Sequence, residues 1–289
     1  MLSDHGNKQL PAGVIGARAR IALMEVRTQK SLGQHWLRDE GSLRAMCEAA
    51  DVSADDTVLE IGPGLGTLTE LLVRRAKRVV AVELDEKLAR DLPARVTADN
   101  LETVQQDILK FDFTALPVGY KVVANIPYYL TSNLIHVLSE SPNPPAKAAL
   151  LVQKEVAERA AAQPGDMSML SVMAQFYWKV SLGKVVPAEL FMPVPKVDSQ
   201  ILVLDRRARR LFSGIDPKLF FRVAHAGFAQ RRKTLLNSLA GGLHLSREAT
   251  AQLLERAGIA PATRAQALSL RDWHVLAKLV AEINADAVP

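Results

Sequence analysis

The residues best placed to do chemistry form a tetrapeptide, Asn125-Ile126-Pro127-Tyr128, at the end of the apolar run Val122-Val123-Ala124 and before a helix-like segment. An amide, a rigid turn and an aromatic face together can hold a planar base and accept hydrogen bonds from its exocyclic amine. An adenine amine is a poor nucleophile because its lone pair is delocalised into the ring. Accepting both amine hydrogens, at the Asn125 side chain and at a nearby backbone carbonyl, favours a more tetrahedral nitrogen. Hydrogen bonds that strengthen as positive charge develops there stabilise the transition state selectively. Tyr128 would stack on an extruded base, as base-modifying enzymes arrange. Asn125, Pro127 and Tyr128 are therefore the candidate catalytic residues. Alone, the tetrapeptide reads equally well as a proline turn, so a methyl-donor site must accompany it.

The segment Glu60-Ile61-Gly62-Pro63-Gly64-Leu65-Gly66 supplies a candidate. Its glycines allow backbone conformations and close approaches that other residues resist. The spacing is close to the dinucleotide fingerprint but lacks its final interval. Glu83 ends the next strand-like run, where a carboxylate can chelate ribose hydroxyls in either class of enzyme. Three features favour S-adenosylmethionine over a nicotinamide dinucleotide. Glu60 would repel a pyrophosphate but tolerates an ammonium group. Asp107 follows the third strand, placed for an adenine amine. Asn125 ends the fourth, beside the expected methyl group. Each acid taken singly could be a cap or a solvated group. Together they converge on one rim of the sheet, where open α/β folds bind ligands.

The elements that must position these groups alternate. Thr57–Ile61, Arg78–Glu83, Thr103–Gln105, Lys121–Ala124 and Ala148–Val152 read as strands, with helices predicted over Asp39–Ala50 (capped by Asp39), Thr67–Ala76 and Asp85–Arg95. That alternation predicts an α/β fold, a Rossmann-like parallel sheet with helices on both faces. Ala174–Val186 and Gln200–Leu204 read as an antiparallel edge, and Pro217–Ala229, Arg231–Leu239, Ser246–Ala257 and Leu270–Ile283 as helices. The expected organisation is a flexible arm over 1–27, a catalytic domain over 28–207 and a small helical domain over 208–289.

With 289 residues, 48% of them apolar, the chain has material for one large core and one small one. Its single cysteine, Cys47, excludes an internal disulfide and reads as a buried structural thiol. No apolar run approaches the roughly 18–20 residues of a transmembrane helix, and no secretory signal opens the chain, so a cytoplasmic protein is expected. The net charge of +5 matters only where it clusters. Arg206, Arg207, Arg209 and Arg210 lie at the expected domain junction, and Arg231, Arg232 and Lys233 open a predicted helix. Either run could be a solvated face or a grip on phosphates. Only 5% of residues are aromatic, which argues against a stacking platform for long single strands and for recognition of folded RNA shape.

The chain resembles the KsgA (RsmA) family of ribosomal RNA adenine dimethyltransferases. The resemblance rests on Leu32-Gly33-Gln34-His35-Trp36-Leu37, the Glu60–Gly66 loop, Glu83-Leu84-Asp85, Gln106-Asp107 and Asn125–Tyr128. It continues through Leu170–Gln175, Pro195–Ser199 and Phe228–Thr234. It implies transfer of methyl groups from S-adenosylmethionine to the N6 atoms of two adjacent adenosines near the 3′ end of small-subunit rRNA, within a partly assembled subunit, by a monomer without a metal. It also implies donor contacts at Gln34, His35, Leu37, Gly62, Gly64, Glu83, Asp107 and Asn125; the candidate RNA contacts, Arg206, Arg207, Arg231, Arg232 and Lys233, rest on the clustering of cations. His35 departs from the family's usual asparagine and Trp36 from its phenylalanine, while Gly165–Met169 departs from a tyrosine-glycine-arginine pattern. The alternatives are a large-subunit adenine methyltransferase of the antibiotic-resistance type, which shares the tetrapeptide, and a non-catalytic assembly or transcription factor on the same scaffold. The Leu170–Gln175 and Gln230–Thr234 segments favour the small-subunit enzyme.

Overall fold

The computed structural model describes residues 35–286. The arm expected over 1–27, and Gln34, lie outside the described residues. Strands β2 (Thr57–Ile61), β3 (Arg78–Glu83), β4 (Leu101–Gln105), β5 (Lys121–Asn125) and β6 (Lys147–Gln153) run parallel; β9 (Ser199–Arg206) runs antiparallel between β6 and the edge strand β7 (Trp178–Val186), which points the same way as the parallel set. The seven-stranded order is β4-β3-β2-β5-β6-β9-β7. Direction of winding reverses between β2 and β5, the switch point beside which such sheets bind ligands. Val58, Leu59, Val122, Val123, Ala124, Leu150 and Leu151 have no solvent exposure, because strands covered on both faces must be apolar on both.

Crossover helices do the covering. Helix α1 (Glu40–Ala49) is capped by Asp39, whose carboxylate accepts from the Ser42 amide at 2.7 Å, and it buries Leu43, Met46 and Cys47. The helix predicted over Thr67–Ala76 shrinks to a single turn, α2 (Thr69–Leu72), because the Arg75 and Ala76 amides both return to the Leu72 carbonyl. Helix α3 (Glu86–Arg95) is capped by Asp85, and α4 (Thr131–Glu140) and α5 (Lys154–Ala160) follow β5 and β6.

The strand expected from Ala174 begins later. Met169–Tyr177 forms a helix, α6, with Ser168 as a capping box, and β7 starts only at Trp178. This helix carries no amphipathic signal because both its faces are buried. Leu170 and Ala174 join the core under the sheet, whereas Val172 and Phe176 join a second core with Phe220, Val223 and Trp273. That second core is built on α7 (Pro217–Phe228), α8 (Leu235–Leu243), α9 (Arg247–Arg256) and α10 (Leu270–Asp286). The helical part beyond residue 208 thus borrows α6 from the sheet domain, and α8 begins four residues later than predicted, at Leu235.

A two-stranded ribbon pairs β1 (Trp36–Leu37) with β8 (Phe191–Met192), Trp36 opposite Met192. It is too short to give a sequence signal, yet it ties the start of the described chain to the loop before β9.

Candidate functional site

At the carboxyl ends of β2 to β5 lies a cavity of about 220 Å³, lined among others by His35, Gly62, Glu83, Asp107, Asn125 and Tyr128. The expected convergence of these side chains on one rim is observed.

The glycine loop has left-handed φ values at Gly62 (+68°), Gly64 (+56°) and Gly66 (+86°). At Gly64 a Cβ would sit 2.2 Å from the Trp36 ring, so the indole packs directly against the loop. The Gly64 amide donates to Glu83 Oε2 at 3.1 Å, and the Asp85 amide donates to Glu83 Oε1 at 3.0 Å. Burial raises the Glu83 pKa, and these amides pull it back toward the ordinary range. Glu83 is therefore fixed in place with lone pairs left for hydroxyl donors. Asp107 accepts from the Leu109 amide at 3.0 Å through one oxygen, capping the turn Ile108–Lys110 and leaving its second oxygen available.

Glu60 is 1% exposed, and neither carboxylate oxygen has a hydrogen-bond partner among the described residues. Burial pushes its pKa up to about 8; the nearby Thr69 hydroxyl works against this and the Glu83 carboxylate adds to it. A buried acid without a partner is costly unless a ligand completes it.

On the acceptor side, Asn125 Nδ2 donates to the His35 carbonyl at 3.2 Å, and Oδ1 has no hydrogen-bond partner among the described residues. Pro127 fixes the chain ahead of the turn Tyr128–Leu130, closed by the Leu130 amide on the Pro127 carbonyl at 3.0 Å. The Tyr128 hydroxyl pairs with Ser199 Oγ at 2.9 Å, and burial raises its pKa, keeping the phenol neutral. The His35 imidazole lies nearly parallel to the Tyr128 ring, 20° off at 5.7 Å between centroids, and its Nδ1 pairs with the Pro193 carbonyl at 2.8 Å. Leu37 is buried in the cavity wall. Residues 35–37 therefore touch the donor loop through Trp36 and the acceptor amide through the His35 backbone. Among the wall residues that the sequence reading did not single out is Tyr129, 63% exposed. An aromatic side chain directly after the tetrapeptide was its only signal. Ser199, which anchors Tyr128, closes the Pro195–Ser199 motif.

The candidate RNA contacts lie elsewhere. Arg231, Arg232 and Lys233 are exposed in the turn between α7 and α8 rather than on a helix. Arg206 is half-buried over the Tyr177 and Trp178 rings, 5.4 and 5.0 Å from their centroids, and donates to the Ser139 carbonyl at 3.3 Å. Arg207 Nε donates to the Gln175 carbonyl at 3.1 Å. Both side chains are committed to holding α4 and α6 against the sheet. Among the described residues no group of three or more His, Cys, Asp or Glu could hold a metal, and no helix is long and apolar enough to cross a membrane.

Comparison with known proteins agrees with this geometry. The model of a family described as ribosomal RNA adenine dimethylase matches residues 25–282. Ribosomal RNA small subunit methyltransferase A of Dehalococcoides mccartyi is 44% identical over 286 residues, spanning 95% of this chain and 98% of that protein. The protein of the same name from Geobacillus thermodenitrificans is 40% identical over 261 residues, 86% of this chain and 89% of its own. Among solved structures, a dimethyladenosine transferase from Plasmodium falciparum superposes with a TM-score of 0.72 at 27% identity, covering 86% of this chain and 98% of its own. The 23S rRNA methyltransferase ErmE superposes with a TM-score of 0.69 at 30% identity, covering 85% and 99%.

Proposed function

Because the chain belongs to the ribosomal RNA adenine dimethylase family, we infer that the rim cleft is its methyl-transfer site and small-subunit rRNA its substrate. The protein is an S-adenosylmethionine-dependent rRNA adenine dimethyltransferase. The observation that carries the assignment of the site is the Asn125 amide, held by the His35 carbonyl with Oδ1 left to accept, on the same cavity wall as Glu83 and Asp107.

The residues present fit the donor. Glu60 offers an unpartnered buried carboxylate to an ammonium, Glu83 an anchored carboxylate to ribose hydroxyls, and Asp107 a free oxygen to an adenine amine. Bound there, S-adenosylmethionine supplies an electrophilic methyl group on a sulfonium. Asn125 Oδ1 and a backbone carbonyl of the tetrapeptide accept the hydrogens of the target amine, and Tyr128 presents its ring to the base. The positive nitrogen formed on transfer then sheds its proton readily to water, so the site needs no strong base. For a second transfer to the same nitrogen, one of these hydrogen bonds is gone and a methyl group takes its place.

We further propose two adjacent adenosines near the 3′ end as the target, reached within a partly assembled subunit in the cytoplasm by a monomer. The likeness to ErmE shows that the fold alone does not choose between ribosomal subunits; the curated relatives favour the small one. Incubation of the purified protein with labelled donor and undermethylated subunits should label small subunits alone. Dimethylated adenosines cannot base-pair, so reverse transcription should stop at two adjacent positions near the 3′ end. Label in large subunits only would overturn the assignment.

Glu83→Ala tests the donor half. It removes a charged acceptor from the ribose hydroxyls and frees the Gly64 and Asp85 amides. Donor binding should weaken by about 2–3 kcal/mol, roughly 30- to 150-fold in Kd by calorimetry. An unchanged Kd would remove Glu83 from the site.

A further inference from the structure

Strand β9 carries the chain from one rim of the sheet to the other. Its first residue, Ser199, pairs with Gln153 and holds the Tyr128 hydroxyl at the catalytic rim. Near its end, Asp205 pairs with Lys147 at the start of β6, and the Arg206 amide bonds the Ala146 carbonyl. Seven steps at ~3.3 Å each separate the two ends by ~23 Å. Helix α4 crosses in the same sense, from Thr131 beside the tetrapeptide to Glu140. Arg207 to Arg210 therefore emerge on the rim opposite the methyl-transfer cleft, not beside it.

There they line a groove with Lys218, at the start of α7, and with Tyr177 and Phe221, whose rings stack at 5.7 Å and 24°. Arg206 forms part of the floor. Two acids, Glu140 and Asp216, also line the groove, outnumbered by Arg206, Arg207, Arg209, Arg210 and Lys218, and each acid nearby has a partner. Asp205 pairs with Lys147 at 3.0 Å, Glu140 lies 3.6 Å from His136, and Asp216 caps α7 through the Lys218 amide at 3.0 Å. Arg209, Arg210 and Lys218 are exposed. Guanidinium groups clustered beside an aromatic pair match a sugar-phosphate backbone with an unstacked base better than they match an acidic peptide, which offers the rings nothing planar.

We propose that this far-rim groove is a second RNA-backbone site, gripping a segment of rRNA separate from the stretch being methylated. The inference rests on the small-subunit rRNA reading above. A strand leaving the base pocket would have to cross the whole depth of the sheet to reach the groove. The two sites therefore meet parts of the RNA that only its tertiary fold brings together, and the groove contributes to affinity for the folded particle rather than to the methyl-transfer step.

The test uses the full chain with Arg209→Ala, Arg210→Ala and Lys218→Ala combined, leaving the packed Arg206 intact. Filter binding to small subunits at graded salt should show affinity weaker by about tenfold or more at low salt, with the slope of log K against log salt shallower by about 2. Single-turnover methylation at saturating subunits, donor affinity and the melting temperature should stay at wild-type values. Unchanged affinity and slope would overturn the proposal. So would a fall in the saturating rate, which would put the groove on the target strand. Lost binding to whole subunits with unaltered binding to protein-free rRNA would assign the groove to a ribosomal protein and overturn it as well. Failure of the wild-type protein to methylate small subunits would instead sink the functional reading, so the two failures are distinguishable.

Discussion

Asn125→Ala should lower single-turnover methyl transfer by about 10²- to 10³-fold while the protein remains folded. The range is that found when one preorganised hydrogen-bonding group is removed from a developing charge. Here the charge develops on the amine nitrogen, and the removed group is the acceptor Oδ1 that meets one of its hydrogens. Folding should be little affected. Asn125 ends β5, and its backbone pairing with Leu151 does not involve the side chain. The lost bond from Nδ2 to the His35 carbonyl is part-buried and neutral, so it contributes about 1 kcal/mol. Donor Kd by calorimetry, melting temperature and transfer rate separate the three effects. A rate within a few-fold of wild type would show that the amide only shapes the proline turn.

The contrast between Asn125 and the arginines shows what the sequence could disclose. Glu60, Glu83 and Asn125 lie in the last two residues of apolar strands buried on both faces, Asp107 follows the half-exposed edge strand β4, and parallel strands carry all such ends to one rim. Convergence was legible from alternation alone. Helix α6 was not, because a segment packed between two cores has neither helical nor strand periodicity and its Val172, Phe176 and Tyr177 favour strands by composition. That misplaced element also hid how far Arg206 and its neighbours lie from the cleft. Only antiparallel pairing of β9 with β6 shows that the end of β9 is the distal rim. The ribbon of β1 with β8 was equally hidden. Its consequence is chemical, since it seats Trp36 against Gly64 and the His35 carbonyl under Asn125. The indole in place of a phenylalanine thus has a packing partner, and the imidazole in place of an amide has two, the Tyr128 ring and the Pro193 carbonyl.

Glu60 should make both stability and donor binding depend on pH near neutrality. Its carboxyl has a pKa of about 8 in the folded protein against 4.5 for the unperturbed group. The folded state therefore binds the proton more tightly than the unfolded chain. The stabilisation is complete below the unfolded pKa and is lost as pH rises through 8. From pH 6 to 8.5 the loss is about 2.5 kcal/mol, at about 1.4 kcal/mol per pH unit below the folded pKa. The donor-free protein should then melt several degrees lower at the upper end, and Glu60→Gln should remove that share of the decline. Donor binding runs the other way. An ammonium seated against Glu60 requires the ionised carboxylate, so binding near pH 6.5 should release about one proton and Kd should tighten up to tenfold per pH unit toward 8. Above that the donor's own α-ammonium, ordinarily near 7.7–8.0, deprotonates and affinity falls again. Calorimetry in buffers of different ionisation enthalpy measures the proton directly, and Glu60→Gln should bind weakly with no release. If wild-type protein released no proton and its Kd were flat from pH 6 to 8, the buried carboxylate would not face the donor's ammonium, and the glycine loop would hold the donor by its backbone and Glu83 alone.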